Sequence, residues 1–255
     1  YLVDLNGPTP VVTQCPAMNH ARALSNTVTL PNGEVLVVGG NTSGKIFSDE
    51  GTVYPAEIYD PISNSWRLVD SLDIPRNYHS TALLLKDGRV LSAGGGACGN
   101  GCAANHLDGQ IFSPPYLFDA QDNLAVRPTL TNVPAQAQAG QQIVVTASSD
   151  ATQFSMVRLS GTTHHMNTDQ RFVPVSSVDN GDGTFTLSLQ ANPNVLIMGN
   201  YFLFAVNANG TPSIAETLQV VRAGMIAPSL PAGGAYISDL PWSLAQNGSG
   251  PAERD

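Results

Sequence analysis

Residues 31–40 read PNGEVLVVGG, and residues 86–95 read KDGRVLSAGG. Both stretches contain a short turn ending in glycine, then an apolar run, then a pair of glycines. Each is preceded by another apolar run, residues 28–30 (VTL) in the first copy and residues 82–85 (ALLL) in the second. Two apolar runs on either side of a short glycine-containing turn are typical of a β-hairpin. The sequence therefore predicts two copies of the same hairpin.

The repeat has the period of a propeller blade. Its turn glycines, Gly33 and Gly88, lie 55 residues apart, and between them residues 56–61 (AEIYDP) lead to Trp66. A hairpin, a double glycine, an aspartate-proline turn and a tryptophan are the marks of kelch repeats, whose period is about 50 residues. Residues 1–126 would then hold about two to three blades, whereas closed propellers have about 4–8. This part of the chain is not expected to close a propeller by itself.

A different pattern begins near residue 127. Short strands follow at even spacing, for example residues 142–146 (QIVVT), 184–189 (TFTLSL) and 201–206 (YFLFAV). About seven such strands within residues 127–222 predict an immunoglobulin-like β-sandwich. The predicted fold class is therefore all-β, a partial kelch-type β-propeller followed by a sandwich.

The two ends of the sequence are interpreted by composition. Residues 1–5 (YLVDL) predict a strand rather than a leader peptide, which suggests a mature or processed start. Residues 223–255 are rich in Pro, Gly, Ala and Ser and predict a tail or linker, either solvated or anchored on a neighbour through Trp242.

Composition excludes several classes of partner. The net charge is −9, charged residues make up only 12% of the chain, and the only lysines are Lys45 and Lys86. Such a surface repels nucleic-acid phosphates and anionic lipids, and no apolar run approaches the length of a membrane span. We therefore expect no nucleic acid and no membrane, and a neutral small molecule, a sugar or another protein as partner.

Three cysteines are present, and two of them lie close together. Cys98 and Cys102 flank a glycine-rich turn that can bring two Cα atoms within disulfide range. The alternative is a metal site, although two thiols without a further Cys or His pair make poor zinc ligands. A disulfide would indicate an oxidising compartment and leave Cys15 without a partner.

Two short motifs combine residues that can bind copper. Residues 76–80 read RNYHS, and residues 163–171 read THHMNTDQR. Two imidazoles with phenolate oxygen suit the tetragonal N and O coordination of Cu(II). A tyrosine has a pKa of about 10 and is a poor ligand when neutral, but a bound cation favours its deprotonation.

These motifs and their surroundings resemble one family of enzymes. Several short stretches are similar to those of the galactose oxidase family of copper radical oxidases: residues 76–80, 83–90, 94–102, 105–106, 110–112, 167–171, 199–204 and 209–213. The resemblance covers roughly residues 1–222 and corresponds to the C-terminal half of that family.

The resemblance implies a function and a set of site residues. In that family one copper ion and a protein radical oxidise a primary alcohol or aldehyde and reduce O2 to H2O2. By position, Tyr78 would be a copper ligand and would take the substrate hydroxyl proton, and His79 and His164 would be the other ligands. His165 is one residue out of register and, on a strand, would point to the opposite face. Phe47 matches a phenylalanine of the substrate pocket.

The resemblance also implies that something is missing. The family has a disulfide in the loop of Cys98 and Cys102, but its tyrosyl-cysteine radical cofactor lies on earlier blades that nothing here matches. We therefore expect a secreted oxidase completed by a second polypeptide or a removed N-terminal part, with Cys15 as a candidate bridge to it. The alternative is a non-catalytic kelch and sandwich module that binds glycans or another protein.

Overall fold

A computed structural model describes residues 1–222 together with residues 246–247 and 250–251. Over these residues the fold is all-β, as predicted, with helical structure limited to one 3₁₀ turn at Pro115–Leu117. The strands, in chain order, are β1 (Leu2–Asp4), β2 (Val11–Thr13), β3 (Asn26–Thr29), β4 (Val35–Val38), β5 (Pro55–Asp60), β6 (Ser65–Ser71), β7 (Ser80–Leu84), β8 (Val90–Gly94), β9 (Gly109–Phe112), β10 (Leu130–Thr131), β11 (Gln136–Gln138), β12 (Gln142–Ala147), β13 (Ala151–Arg158), β14 (Gly161–Thr163), β15 (Met166–Thr168), β16 (Phe172–Asp179), β17 (Thr184–Ser188), β18 (Gly199–Asn207), β19 (Glu216–Val221), β20 (Gln246–Asn247) and β21 (Gly250–Pro251).

The chain divides into two units, Tyr1–Ala223 and Gly224–Asp255. In the second unit β20 pairs with β21. Most of the predicted tail, including Trp242, lies outside the described residues. No helix among the described residues has the length and apolar character needed to cross a membrane.

The two predicted hairpins are present and have the same turn. β3 pairs with β4 and β7 with β8, both antiparallel. Leu30 donates its N–H to the carbonyl of Glu34 at 2.8 Å, and Leu85 donates to Arg89 at 2.8 Å. Gly33 and Gly88 hold φ values of 89° and 79°, which side chains with a Cβ rarely adopt. The internal repeat is therefore a repeat of structure.

Each hairpin extends into a larger antiparallel sheet. The first sheet has the order β3-β4-β5-β6, and the second has the order β7-β8-β9. Leu36 and Ile58 of the first sheet and Ala82 and Val90 of the second belong to one buried cluster. The two sheets therefore share a core.

The C-terminal part of the first unit forms one continuous sheet of eight strands, in the order β10-β12-β17-β16-β13-β18-β19-β11. Strand β16 makes it continuous, since its first half pairs with β13 and its second half with β17. A strand that passes from one layer to the other is a known way of joining the two layers of a sandwich. The core lies between them, with Val145 and Leu187 on one side and Met156 and Leu203 on the other.

The hairpin β14–β15 connects this sheet to the first half of the chain. The hydroxyls of Thr162 and Thr81 lie 2.5 Å apart, and the Asn167 amide donates to the carbonyl of Ala82 at 3.2 Å. Gln170 follows the hairpin and accepts the N–H of Thr29 at 2.7 Å. The hairpin thus lies over β7 and next to β3.

Candidate metal centre

Aromatic rings from three separate segments converge at the start of β7. The ring centroids of Tyr78 and His79 are 4.1 Å apart, and those of Tyr78 and His164 are 5.9 Å apart. The ring centroids of His79 and His164 are 5.2 Å apart. The ring of Phe47 packs edge-on against that of Tyr78, with centroids 5.3 Å apart, and its centroid lies 5.6 Å from that of His79. All four residues singled out from the sequence therefore lie in one cluster.

Tyr78 and His79 are held in a turn directly before β7. Ser80 donates its N–H to the carbonyl of Asn77 at 3.0 Å, and His79 has a φ of 67°. Nδ1 of His79 lies 2.7 Å from the carbonyl oxygen of Gly96, which makes it a donor there. The other nitrogen, Nε2, is then the one with a free lone pair. Fixing one imidazole nitrogen in this way is how proteins orient a metal-binding histidine.

His164 and His165 form the two-residue turn between β14 and β15. Both have positive φ, 53° and 62°, as the favoured hairpin turns require. They therefore do not alternate across a strand as the sequence predicted, and the ring of His165 also lies close to Tyr78, at 5.7 Å. Nδ1 of His164 is 2.6 Å from the Thr163 hydroxyl. When Nδ1 donates to this hydroxyl, Nε2 carries the lone pair available to a metal.

Backbone strain is concentrated at this cluster. Phe47, His79 and His164 all have positive φ, at 56°, 67° and 53°. Non-glycine residues pay about 1–3 kcal/mol each for such conformations, which persist where the surrounding structure determines them and often occur at functional sites. The three side chains are therefore placed at an energetic cost.

The donor set fits copper. Two imidazoles, each with Nδ1 engaged elsewhere, and one phenol oxygen provide the mixed N and O ligands that Cu(II) prefers. Within the described residues no group of three or more His, Cys, Asp or Glu is arranged to hold a metal ion. The phenol oxygen of Tyr78 is thus the third ligand that this cluster can offer a metal besides the two imidazoles.

One face of the cluster is open. Phe47 is 38% exposed and His164 is exposed, whereas Tyr78 and His79 are half-buried. A site built from these four residues alone would be accessible to solvent on this side.

The loop behind His79 contains the predicted disulfide. Cys98 and Cys102 are bonded, with their Cα atoms 5.8 Å apart. Cys15 is a free cysteine, and its sulfur lies 3.9 Å from the hydroxyl of Tyr59. The disulfide interpretation is confirmed over the metal-site alternative.

A polar group beside the cluster is not predicted by the sequence analysis. Nε2 of His106 lies 3.0 Å from a carboxylate oxygen of Asp49, and the same carboxylate accepts a hydrogen bond from the Asn77 amide. These residues belong to three different loops. No local motif signals their contact, and only Asn77, next to Tyr78, could have attracted attention.

Comparisons with known proteins find two matching family models and several similar relatives. Residues 8–116 match the family described as glyoxal oxidase N-terminus, and residues 127–220 match the galactose oxidase-like early set domain. Galactose oxidase of Gibberella zeae is 38% identical over 203 residues, which are 79% of this chain and 30% of that protein. Aldehyde oxidase GLOX1 of Arabidopsis thaliana is 32% identical over 242 residues, covering 86% of this chain and 39% of that protein.

A solved structure is similar as well. A fungal alcohol oxidase of the AA5 family, determined in complex with copper, superposes with a TM-score of 0.81 at 39% identity, over 86% of this chain and 47% of that one. The chain thus spans less than half the length of each of these relatives.

Proposed function

The chain belongs to the family of galactose oxidase and glyoxal oxidase, and from that premise we propose that it forms the copper-binding part of a copper radical oxidase. The reaction is the oxidation of a primary alcohol or aldehyde with O2. From an alcohol, two electrons and two protons pass to O2, which gives the aldehyde and H2O2. An aldehyde would react as its hydrate, in which water supplies the added oxygen, and the same transfer of two electrons and two protons gives the carboxylic acid and H2O2. One observation carries the proposal: Tyr78, His79 and His164, from motifs far apart in the sequence, bring their rings together.

In this proposal His79 and His164 hold copper through Nε2, and Tyr78 through its phenol oxygen. Copper supplies one-electron redox chemistry when it is bound. Tyr78 would take the proton of the substrate hydroxyl. A bound cation favours release of the tyrosine's own proton to solvent, and the resulting phenolate oxygen would be a competent base for this step. Phe47, packed against Tyr78 and His79, forms an apolar wall of the substrate site.

The substrate is a small alcohol, sugar or aldehyde. A net charge of −9 disfavours polyanionic substrates and suits neutral ones. The Cys98–Cys102 disulfide supports a secreted protein.

The site needs further protein. We assign the sheets β3–β6 and β7–β9 to a partial kelch propeller within residues 1–126, followed by a sandwich domain within residues 127–222. The remaining blades, on a second polypeptide or a removed N-terminal part, would supply the tyrosyl-cysteine radical cofactor. Support comes from the exposed apolar side chains Val12 of β2 and Leu68 of β6, which are 61% and 52% exposed. Proteins normally cover such strands.

The first test is copper analysis of the native material, with optical spectra for a phenoxyl radical. Copper near one ion per chain, with O2 uptake and matching H2O2 on addition of a primary alcohol or an aldehyde, is expected. Absence of copper binding would contradict the proposal and favour the non-catalytic glycan- or protein-binding module.

A second test addresses completion. Denaturing electrophoresis is run with and without reductant and should separate this chain from a partner chain. If Cys15 forms a disulfide to the partner, the two chains separate only when reductant is present. A single species of this chain's mass, monomeric in solution and active on alcohols, would show that no further protein is needed.

A further inference from the structure

A buried asparagine lies next to the proposed ligands. Asn77 is 1% exposed and directly precedes Tyr78. Its amide oxygen accepts the N–H of Gly96 at 2.9 Å, and its amide nitrogen donates to the carboxylate of Asp49. One side chain thus connects two loops that flank the site.

The first connection leads to His79. The N–H of Gly96 is shared between the carbonyl of Tyr78, at 2.7 Å, and the amide oxygen of Asn77, at 2.9 Å. The carbonyl of Gly96 accepts from Nδ1 of His79 at 2.7 Å. The backbone of Gly96 lies close against that of Ala104, since a Cβ at this position would lie 2.3 Å from the Ala104 carbonyl oxygen. Asn77, together with the Tyr78 carbonyl, therefore fixes where the acceptor for His79 lies.

The second connection leads to Phe47. Asp49 follows Phe47 by two residues. Its carboxylate accepts a hydrogen bond from the Asn77 amide and lies 3.0 Å from Nε2 of His106. His106 is anchored in turn, because its N–H donates to the carbonyl of Gly95 at 3.1 Å. The loop that presents the Phe47 ring to Tyr78 is thus fixed to the loop that orients His79.

We propose that Asn77 is a positioning residue of the candidate copper site. With the Asp49–His106 pair it sets the orientation of the His79 imidazole through Gly96 and the placement of Phe47 through Asp49. The proposal rests on the proposed function for its relevance to copper, but the orientation of His79 is a property of the metal-free protein too. Partners that orient a ligand typically contribute about 10–100-fold to metal affinity.

The test compares two variants. Asn77→Leu keeps the volume of the side chain but removes both hydrogen bonds. The exchange Asn77→Asp with Asp49→Asn retains both bonds. An aspartate at 77 still accepts from Gly96, and only the bond between residues 77 and 49 has its donor and acceptor reversed. Asn207→Leu is the control, because Asn207 is also buried and its amide oxygen accepts the N–H of Thr211 at 3.0 Å, far along the chain from the site.

Two readouts are measured on the protein with its complete complement of chains. The first is the ¹⁵N chemical shift of Nδ1 of His79 in the metal-free protein, identified by its absence from His79→Gln. The second is the Cu(II) affinity, from competition with a chelator, together with the Cu(II) electron paramagnetic resonance spectrum.

We expect Asn77→Leu to shift the His79 resonance, to alter the Cu(II) spectrum and to weaken affinity about 10–100-fold. The exchange variant should stay within about threefold of the original affinity, and Asn207→Leu should leave both readouts unchanged while lowering stability. An unaltered His79 resonance in Asn77→Leu would overturn the inference. So would an exchange variant as impaired as Asn77→Leu. Failure of the unmodified protein to bind Cu(II) would contradict the proposed function instead. The ¹⁵N shift of His79 in the metal-free Asn77→Leu variant would still show whether Asn77 positions His79.

Discussion

The imidazole ring centroids of His79 and His164 lie 5.2 Å apart, although His79 directly precedes β7 and His164 lies in the turn of the β14–β15 hairpin. The two residues come together only because the β14–β15 hairpin packs on β7. The hydrogen bonds between Thr162 and Thr81 and between Asn167 and Ala82 provide that contact. The candidate metal centre thus depends on packing between the two halves of the chain.

The first prediction separates the two histidines of the turn. His79→Ala and His164→Ala should each abolish copper retention, because each removes one of two nitrogen ligands. His165→Ala should retain copper, although the His165 ring also lies near Tyr78. Metal analysis after gel filtration measures this, with circular dichroism as the control for folding. Loss of copper in His165→Ala and retention in His164→Ala would reverse the assignment.

The second prediction concerns Tyr78. Tyr78→Phe keeps the ring that packs on Phe47 and His79 but removes the oxygen. Copper should still bind through the two imidazoles, while alcohol oxidation should fall by about 10²–10⁴-fold because the proton acceptor is lost. O2 uptake at saturating copper, with copper content measured in parallel, provides the test. Undiminished oxidation would exclude Tyr78 as the base.

The third prediction concerns the attachment of the hairpin. Thr81→Val and Thr162→Val each remove one hydroxyl of a half-buried pair at 2.5 Å. In a double-mutant cycle the pair should show a coupling of about 0.5–1.5 kcal/mol in the free energy of unfolding. Each variant should also weaken Cu(II) binding, because the hairpin positions His164. Thr168→Val, whose hydroxyl bonds to Gly161 within the hairpin, is the control for copper.

Much of this arrangement could be predicted from the sequence, and the rest fails for identifiable reasons. The hairpins at Gly33 and Gly88 follow from local turn chemistry, and the disulfide from a five-residue glycine-rich loop. Residues 163–171 fit a hairpin, but the sequence does not place the turn at His164 and His165, because His-His lacks the asparagine and glycine that mark such turns.

Long-range contacts were not predictable. The bonds from Asn77 to Asp49 and from His106 to Asp49 join loops at separations of 28 and 57 residues. The continuity of the eight-stranded sheet depends on β16 changing partner halfway, which an alternating apolar pattern does not indicate. These features arise from packing in three dimensions.

The fourth prediction concerns a buried ion pair. Glu57 and Arg22 have fully buried side chains and lie 2.7 Å apart. Burial alone would raise the pKa of Glu57, but hydrogen bonds from Asn19, His20 and Arg22 outweigh it and lower the pKa. Glu57→Gln should therefore destabilise the fold by about 3–5 kcal/mol at neutral pH, because it leaves a buried cation without its counter-charge.

The pH dependence of this effect has a definite sign. A carboxyl whose pKa is lowered on folding stabilises the protein fully above its unfolded pKa of about 4.3, and that stabilisation is lost as the pH falls through the folded value. The difference in free energy of unfolding between the original protein and Glu57→Gln should be constant from pH 8 to about pH 5 and shrink below it. Urea denaturation at several pH values measures this. A difference that grows towards acid would contradict the assignment.

The last prediction concerns the state of the cysteines. Denatured but unreduced protein should take up one alkyl group per chain, at Cys15, and reduction should raise this to three. Uptake of none before reduction would indicate that Cys15 bridges to another chain, and uptake of three would argue against both the disulfide and a secreted protein.

The Cys98–Cys102 disulfide closes a loop with a sequence separation of 4. For so short a loop the chain-entropy model gives about 2 kcal/mol of stabilisation. Cys98→Ser with Cys102→Ser should lose that amount. It should also weaken Cu(II) binding, because the Cys98 N–H donates to Asn105 at 3.1 Å and Ala104 packs on Gly96. Cys15→Ser, which lies outside this loop, is the matched control and should leave Cu(II) affinity unchanged.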